Sequence, residues 1–265
     1  MSHHYLRFDD VHYRYPNGYE ALCGVSFRIT HGEKVALVGA NGAGKSTLLL
    51  HTNGLLMPSQ GVEVMGGIKL TRRTLPLVRQ SVGLVFQDSD NQLFMPTVEE
   101  DVAFGPSNMR LEPEEIRRRV TEALDAVGAL DLRGESPFRL SGGQKKRVAI
   151  ATVLAREPSV LVMDEPTSNL DPRARRQIID LIRRFSHTTL IATHDMEMVL
   201  DLCDRMGFIV MDETFDMWRK KKTRHDYSRY FNEWHERDLT DLIVRDRNHP
   251  SIFMWSIGNE VLEQW

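Results

Sequence analysis

Cysteine is almost missing from this 265-residue chain: Cys23 and Cys203 are the only two, far apart and without the short spacing of a metal site. That excludes a disulfide scaffold and fits a reducing, cytosolic compartment. No apolar run reaches the roughly 18 residues needed to cross a bilayer. The opening MSHHYLRFDD also lacks the apolar stretch of a secretory signal. Basic excess is absent as well: 34 Lys and Arg stand against 37 Asp and Glu, a formal charge of −3, so no general attraction for nucleic acid is expected. The composition, 41% hydrophobic and 27% charged, is that of an ordinary globular protein. Its distribution is not ordinary. Residues 1–213 contain no tryptophan, whereas residues 214–265 hold all four and only one of the 18 glycines, Gly258. A uniform domain rarely divides its composition this way, so a junction is expected near residue 213.

Before that point the pattern is strand-rich and then alternating. LRFDDVHYRY (6–15) and LCGVSFRI (22–29) read as strands around a PNG turn. KVALVG (34–39) is a short apolar strand leading into a glycine-rich loop and the helix STLLLHTNGLL, which Gly54 ends. SVGLVF is a further strand, Glu112 to Ala129 an amphipathic helix, and QKKRVAIATVLAR a helix stopped by Pro158. VLVMD, RARRQIIDLIRRF, TTLIATH, MEMVLDLCDRM and GFIVMD then alternate strand and helix to about Asp212. Repeated crossovers between apolar strands predict a mostly parallel sheet covered by helices, with ligands at the carboxyl ends of the strands.

The glycine-rich loop carries chemistry. Gly39, Ala40, Asn41, Gly42, Ala43, Gly44, Lys45, Ser46 and Thr47 satisfy GxxxxGK[ST] between the strand and helix that the motif requires. Successive backbone N–H groups there form an anion nest, the helix terminus adds its positive end, and Lys45 supplies a cation for the β- and γ-phosphates. Ser46 is expected to ligate magnesium. VLVMD ends in Asp164 and Glu165. A carboxylate at that strand end can hold the magnesium shell through water, the role expected of Asp164. A second, one residue later, can polarise the attacking water, the role expected of Glu165.

Residues 5–212 resemble the nucleotide-binding subunit of an ATP-binding-cassette transporter, with each diagnostic segment in order. The resemblance implies a P-loop ATPase with a mostly parallel core sheet, an antiparallel N-terminal β part and a helical subdomain at about 88–158, using ATP and Mg2+. In that family the signature, here Leu140-Ser141-Gly142-Gly143-Gln144, closes over the γ-phosphate held by the opposite subunit of a head-to-tail dimer. Gln87 matches the glutamine that senses magnesium and water, and His194 the switch histidine that contacts the γ-phosphate. Tyr15 matches the aromatic that stacks on adenine, and Ser168-Asn169-Leu170-Asp171 the loop facing the other subunit, with Asn169 where alanine or glycine is common. QDSDNQLF (87–94) and VEEDVAFGP narrow the resemblance to energy-coupling-factor importers, especially the cobalt or nickel type; Asp88 and Arg156 depart from the usual asparagine and apolar residue. Implied partners are a second ATP-binding subunit, identical or not, a transmembrane coupling protein and a substrate-binding membrane protein, placing the chain peripherally on the cytoplasmic face of the membrane. A soluble regulatory cassette, or a chimera that binds nucleotide without turning it over, are the competing expectations.

From about residue 199 to 265 a different resemblance takes over, to the catalytic barrel of the glycoside hydrolases that include β-galactosidases and β-glucuronidases. RDRNHPSIFMWSIGNE is its most distinctive stretch, and the family implies general acid/base chemistry at Glu260 and sugar orientation by Asn259. VLDLCDRMGFIVMDE (199–213) suits both families, so periodicity shows no break at the join. The expected division is a cassette over 1–213 and an incomplete barrel fragment, part of a TIM (β/α) barrel, over 214–265. Retaining hydrolysis needs two carboxylates about 5 Å apart. The sequence stops five residues after Glu260, before a strand that would carry the nucleophile, and Glu263 is no plausible substitute, so glycoside hydrolysis is not expected. Nine basic and nine acidic residues balance in the tail, again without attraction for nucleic acid. The SIFMWSI strand has to dock on the cassette, self-associate or stay exposed. Truncation near Asp212 is expected to spare nucleotide binding and improve solubility.

Overall fold

The computed structural model describes residues 5–39, 42–185, 188–195, 197–199, 202, 209–213 and 252–256. An antiparallel sheet comes first: β1 (Leu6–Arg14) pairs with β2 (Glu20–Ile29) on one side and β4 (Gln60–Met65) on the other, and β5 (Ile68–Lys69) extends β4. The reversal after β1 is the PNG turn, closed by the Gly18 amide donating to the Tyr15 carbonyl at 2.9 Å and the Tyr15 amide to the Tyr19 carbonyl at 2.8 Å. The turn therefore sets Tyr15 and Tyr19 side by side.

Six strands make the second sheet, in the order β10 (Ile252–Ser256), β9 (Ile209–Glu213), β3 (Lys34–Val38), β8 (Thr188–Ala192), β7 (Val160–Asp164) and β6 (Val82–Val85), all neighbours parallel. In β3, β6, β7 and β8 both faces are covered, and the strand period of two sorts side chains between two cores. Ala36, Val38, Leu161, Met163 and Ile191 face α3 (Val98–Asn108), α4 (Pro113–Ala126), α5 (Gly142–Leu154) and α6 (Pro172–Arg184). Val35, Leu37, Val160, Val162 and Leu190 face the antiparallel sheet and α1 (Lys45–Thr52). The continuous apolar runs in the sequence are thus two alternating faces, each buried.

Two helices were not legible as such. α2 (Leu75–Ser81) is short, and α3 contains Pro106; its start is nonetheless fixed by a capping box in which Thr97 and Glu100 satisfy each other's backbone amides. The tail's strand β10 docks on the cassette, one of the three outcomes open to it. It pairs along β9 at four positions, Val210 to Glu213, whereas β9 pairs with β3 at only two, Leu37 with Ile209 and Val38 with Val210. β10 therefore covers the edge of β9. Among the described residues no helix is long and apolar enough to cross a membrane.

Candidate functional site

The parallel sheet delivers its functional residues to one edge. β3 runs into the glycine loop, whose Gly42 and Gly44 hold φ of +88° and +86°. At Gly44 a Cβ would lie 2.7 Å from the Ala21 carbonyl oxygen, so glycine is required there both for its conformation and for the close approach of β2. Gly44 caps α1 without any side-chain hydrogen bond, in contrast to α3, α5 and α6, which Thr97, Ser141 and Asp171 cap. The first-turn amides of α1 are left for an anion. Lys45 is buried and donates from Nζ to the Gly39 carbonyl at 2.6 Å. Ala40 and Asn41 lie outside the described residues.

β7 ends in Asp164, which accepts a hydrogen bond from Ser46 while its Oδ1 is buried without a hydrogen-bond partner. Burial is the main force raising the Asp164 carboxyl above its ordinary value; Ser46 opposes, the Glu165 charge adds to the rise, and Lys45 and Lys146 oppose. An orphaned carboxylate oxygen beside a hydroxyl is an oxygen-donor set that suits magnesium. Glu165 then turns back with φ of +44°, and its amide donates to the Ala192 carbonyl at 2.8 Å. This left-handed turn costs a non-glycine residue roughly 1–2 kcal/mol. It carries the carboxylate under the end of β8, where Glu165 Oε1 meets His194 Nδ1 at 2.8 Å and Oε2 accepts from the Thr193 hydroxyl at 3.2 Å. Glu165 is 6% exposed, while the His194 side chain is 64% exposed and faces outward. Tyr19, Gly42, Gly44, Lys45, Ser46, Thr47, Gln87, Asp164, Glu165 and His194 line one cleft of about 360 Å³.

Tyr15 does not line the cleft itself but touches two residues that do, its hydroxyl 3.0 Å from Thr47 Oγ1 and its ring 6.5 Å from the Tyr19 ring at an interplanar angle of 26°. Tyr19, which sequence reasoning passed over, lines the cleft; the PNG turn that pairs it with Tyr15 was the available signal. The signature residues are not in this cleft. Ser141 and Gln144 form the capping box of α5, with the Gln144 side chain accepting from the Ser141 amide at 2.9 Å, and Gly142 has open space around it. Gly143 packs tightly, since a Cβ there would meet Ala174 at 2.7 Å. Asp171 is the N-cap of α6, accepting from the Arg173 and Ala174 amides, which hold its carboxyl below its usual value. Asn169 holds φ of +58°, a conformation that asparagine and glycine tolerate and that accounts for its presence there.

Lysines of the signature helix fasten the segment after β6, another feature missed from sequence. Lys146 is buried and donates to the carbonyls of Phe86 at 3.3 Å and Gln87 at 2.6 Å, and Lys145 pairs with Asp90 at 2.6 Å. Gln92 accepts from the Phe86 amide and donates to the Ala149 carbonyl and Thr152 hydroxyl. Gln87 is therefore tied to α5. Replacing Lys146 by methionine is expected to destabilise the chain by about 2 kcal/mol, because two carbonyls lose a charged donor. A urea unfolding midpoint unchanged from the parent would show that the clamp carries no energy.

A second clamp lies beside His194. Arg175 of α6 donates to both Asp195 oxygens at 2.7 and 2.8 Å, with Thr167 and the Met198 amide donating as well, and Asp195 falls to about 2, mainly through Arg175. A depressed carboxyl stabilises the fold above its unfolded value near 4, and this stability disappears as pH falls toward 2. Allowing for solvent screening of a partly exposed pair, the contribution is about 1–2 kcal/mol. Asp195→Asn is expected to lower unfolding free energy at pH 6 by that amount and to narrow the gap from the parent at pH 3; an equal gap at both would remove Asp195 as its source.

A family model described as ABC transporter matches residues 22–168, and one described as glycosyl hydrolases family 2, TIM barrel domain, matches residues 180–264. The second match starts inside α6, further upstream than composition placed the junction. An ABC transporter ATP-binding protein of Geobacter sulfurreducens is 59% identical over 205 residues, which is 77% of this chain and 82% of the relative. The energy-coupling factor transporter ATP-binding protein EcfA of Methanocaldococcus jannaschii is 49% identical over 202 residues, 74% and 72% of the two chains. Among solved structures, cbiO1 of Clostridium perfringens, part of the ABC transporter complex cbiONQ, matches with a TM-score of 0.70 at 37% identity over 92% of this chain and 95% of that one. A dimeric bacterial ABC transporter cassette, MJ0796, matches with 0.68 at 29% identity over 77% and 93%.

Proposed function

This chain belongs to the ABC transporter ATP-binding family, and from that membership we propose that it powers import of cobalt, nickel or another micronutrient through an energy-coupling-factor complex. The observation that carries the catalytic part is the meeting of Glu165 and His194 at 2.8 Å on neighbouring strand ends, in the cleft that also holds Lys45, Ser46 and Asp164. Lys45 and the amides of Gly42, Ala43, Gly44, Ser46 and Thr47 bind the phosphates of ATP. Ser46 and Asp164 would hold magnesium, Asp164 through water and with Gln87 nearby, and the ion would supply neutralisation of phosphate charge. Glu165 accepts a proton from the attacking water, and His194 holds that carboxylate in place and reaches toward the γ-phosphate. Tyr15, flanked by Tyr19, is the platform for adenine.

A second cassette subunit completes the site. Ser141 and Gly142 sit at the exposed start of α5, outside the cleft of their own chain, which supports their acting on nucleotide held by the partner. Membrane coupling is assigned to a separate groove of about 400 Å³ beside the Gln87 segment, where Phe94 and Phe104 pack edge to face and are 55% and 42% exposed. Exposed aromatics beside a groove of mixed polar and apolar lining suit a transmembrane protein's cytoplasmic helix, which would place this subunit on the cytoplasmic face of the membrane. We propose the division of the chain at 213/214, on the change in tryptophan and glycine content there. Turnover of MgATP by the intact chain and by Glu165→Gln tests the assignment, and equal turnover in both sinks it.

A further inference from the structure

At the C-terminal end of α1, one turn beyond the cleft residue Thr47, two titratable side chains are fully buried and play no part in the chemistry above. His51, in the last turn of α1, and Glu63, on β4, are 0% and 1% exposed, with Nδ1 and Oε1 2.7 Å apart. The two side chains meet as an ion-pair contact rather than an aligned hydrogen bond, and none of His51 Nδ1 and Nε2 or Glu63 Oε1 and Oε2 has a hydrogen-bond partner. Two polar groups left this incompletely satisfied in a core are costly. Leucine at both positions would remove that cost, so their presence calls for a role.

Their neighbours indicate it. The His51 ring meets Tyr13 edge to face, at 4.9 Å and 79°. Tyr13 meets Tyr15 in the same manner, at 4.9 Å and 82°, and the Tyr15 hydroxyl reaches Thr47, one helical turn before His51. The contacts form a closed loop: down α1 from Thr47 to His51, across to Tyr13 on β1, and back through Tyr15 to Thr47. Edge-to-face packing depends on ring orientation, because the positive edge of one ring points at the negative face of the next. The 2.7 Å contact with Glu63 constrains the imidazole, the imidazole packs on Tyr13, and Tyr13 packs on Tyr15.

We propose that the buried His51–Glu63 pair is a positioning device for the base platform, orienting Tyr15 through Tyr13 so that the pair governs affinity for the nucleobase rather than for the phosphates. This rests on the reading of Tyr15 as the adenine platform. Glu63 and His51 touch no nucleotide themselves; they act by holding a ring.

The test compares equilibrium binding of MgATP with binding of magnesium tripolyphosphate, which presents the phosphates without the base, on the full chain. Base–aromatic stacking is worth enough that misorienting the platform is expected to weaken MgATP about 5- to 10-fold. His51→Leu/Glu63→Leu removes both polar groups together, a change that buried ion pairs often tolerate. It is expected to show that loss for MgATP and tripolyphosphate binding within about twofold of the parent. Tyr13→Leu breaks the middle link without burying a charge and is expected to behave alike, which keeps the test decisive if the double variant does not fold. Glu63→Gln, which keeps shape and a hydrogen-bonding oxygen, is expected to retain most of the MgATP affinity. Equal weakening of both ligands in the double variant and in Tyr13→Leu would mean general damage to α1 and overturn the proposal, as would unchanged MgATP affinity in both. Tyr15→Ala separates the two levels: if it leaves the preference for MgATP over tripolyphosphate unaltered, the platform reading itself fails. If it abolishes the preference while the other variants keep it, only the positioning role fails.

Discussion

Glu165→Gln is expected to lower ATP turnover by about 10²–10³-fold while leaving MgATP binding intact, because a positioned general base contributes on that order and an amide cannot accept the proton. Glutamine keeps the shape of the side chain and an oxygen able to accept from Thr193, so the β7–β8 junction is preserved. The substitution also removes the neighbouring negative charge that helps to raise Asp164. Asp164 then ionises more readily, which favours the magnesium shell, so affinity is expected to hold or improve rather than fall. Steady-state phosphate release and equilibrium MgATP binding measure the two effects separately. Turnover within about threefold of the parent would remove Glu165 as the base and leave the exposed His194 as the group to examine.

Deleting residues 214–265 is expected to spare nucleotide binding and to turn most of the soluble protein into higher-order species. Lys45, Ser46, Asp164, Glu165 and His194 sit on or beside β3, α1, β7 and β8, none of which depends on the tail. β9 does depend on it. With β10 gone, β9 retains two paired positions against β3 and presents a bare parallel edge, the kind of surface that recruits other strands. This reverses the improved solubility that sequence alone suggested, where the tail was a misfit and its removal a relief. Size-exclusion chromatography with light scattering, alongside MgATP binding, reads both expectations. A truncated chain more monodisperse than the parent would show that β10 does not protect the edge.

The candidate nucleotide site was legible because its motifs are local. Nine consecutive residues between a strand and a helix specify the phosphate cradle, and a buried strand ending in Asp164-Glu165 specifies where the acids emerge. The clamps were not legible. Lys146 is 59 positions from the Gln87 carbonyl it grips, Arg175 is 20 from Asp195, and His51 and Glu63 lie on a helix and a strand that pack only in the folded chain. Nothing in the spacing of such residues announces a contact, since a lone lysine on a helix is most often solvated. The signature residues show the opposite limit. Their motif is plain in sequence, yet in one chain Ser141 and Gln144 only cap a helix, and the part in catalysis proposed for them would need a second subunit.

The uneven placement of tryptophan and glycine pointed to a junction, and the motifs showed that a cassette and a piece of another family share the chain, because composition and motif are properties of the linear polymer. What the tail does could not be decided there. β9 has the apolar run and acidic end that either parent fold would accept, and both folds build with parallel strands, so β10 pairs beside it and extends the cassette sheet to six strands. That outcome depends on backbone hydrogen bonding across an edge, which exists only once the other five strands are in place.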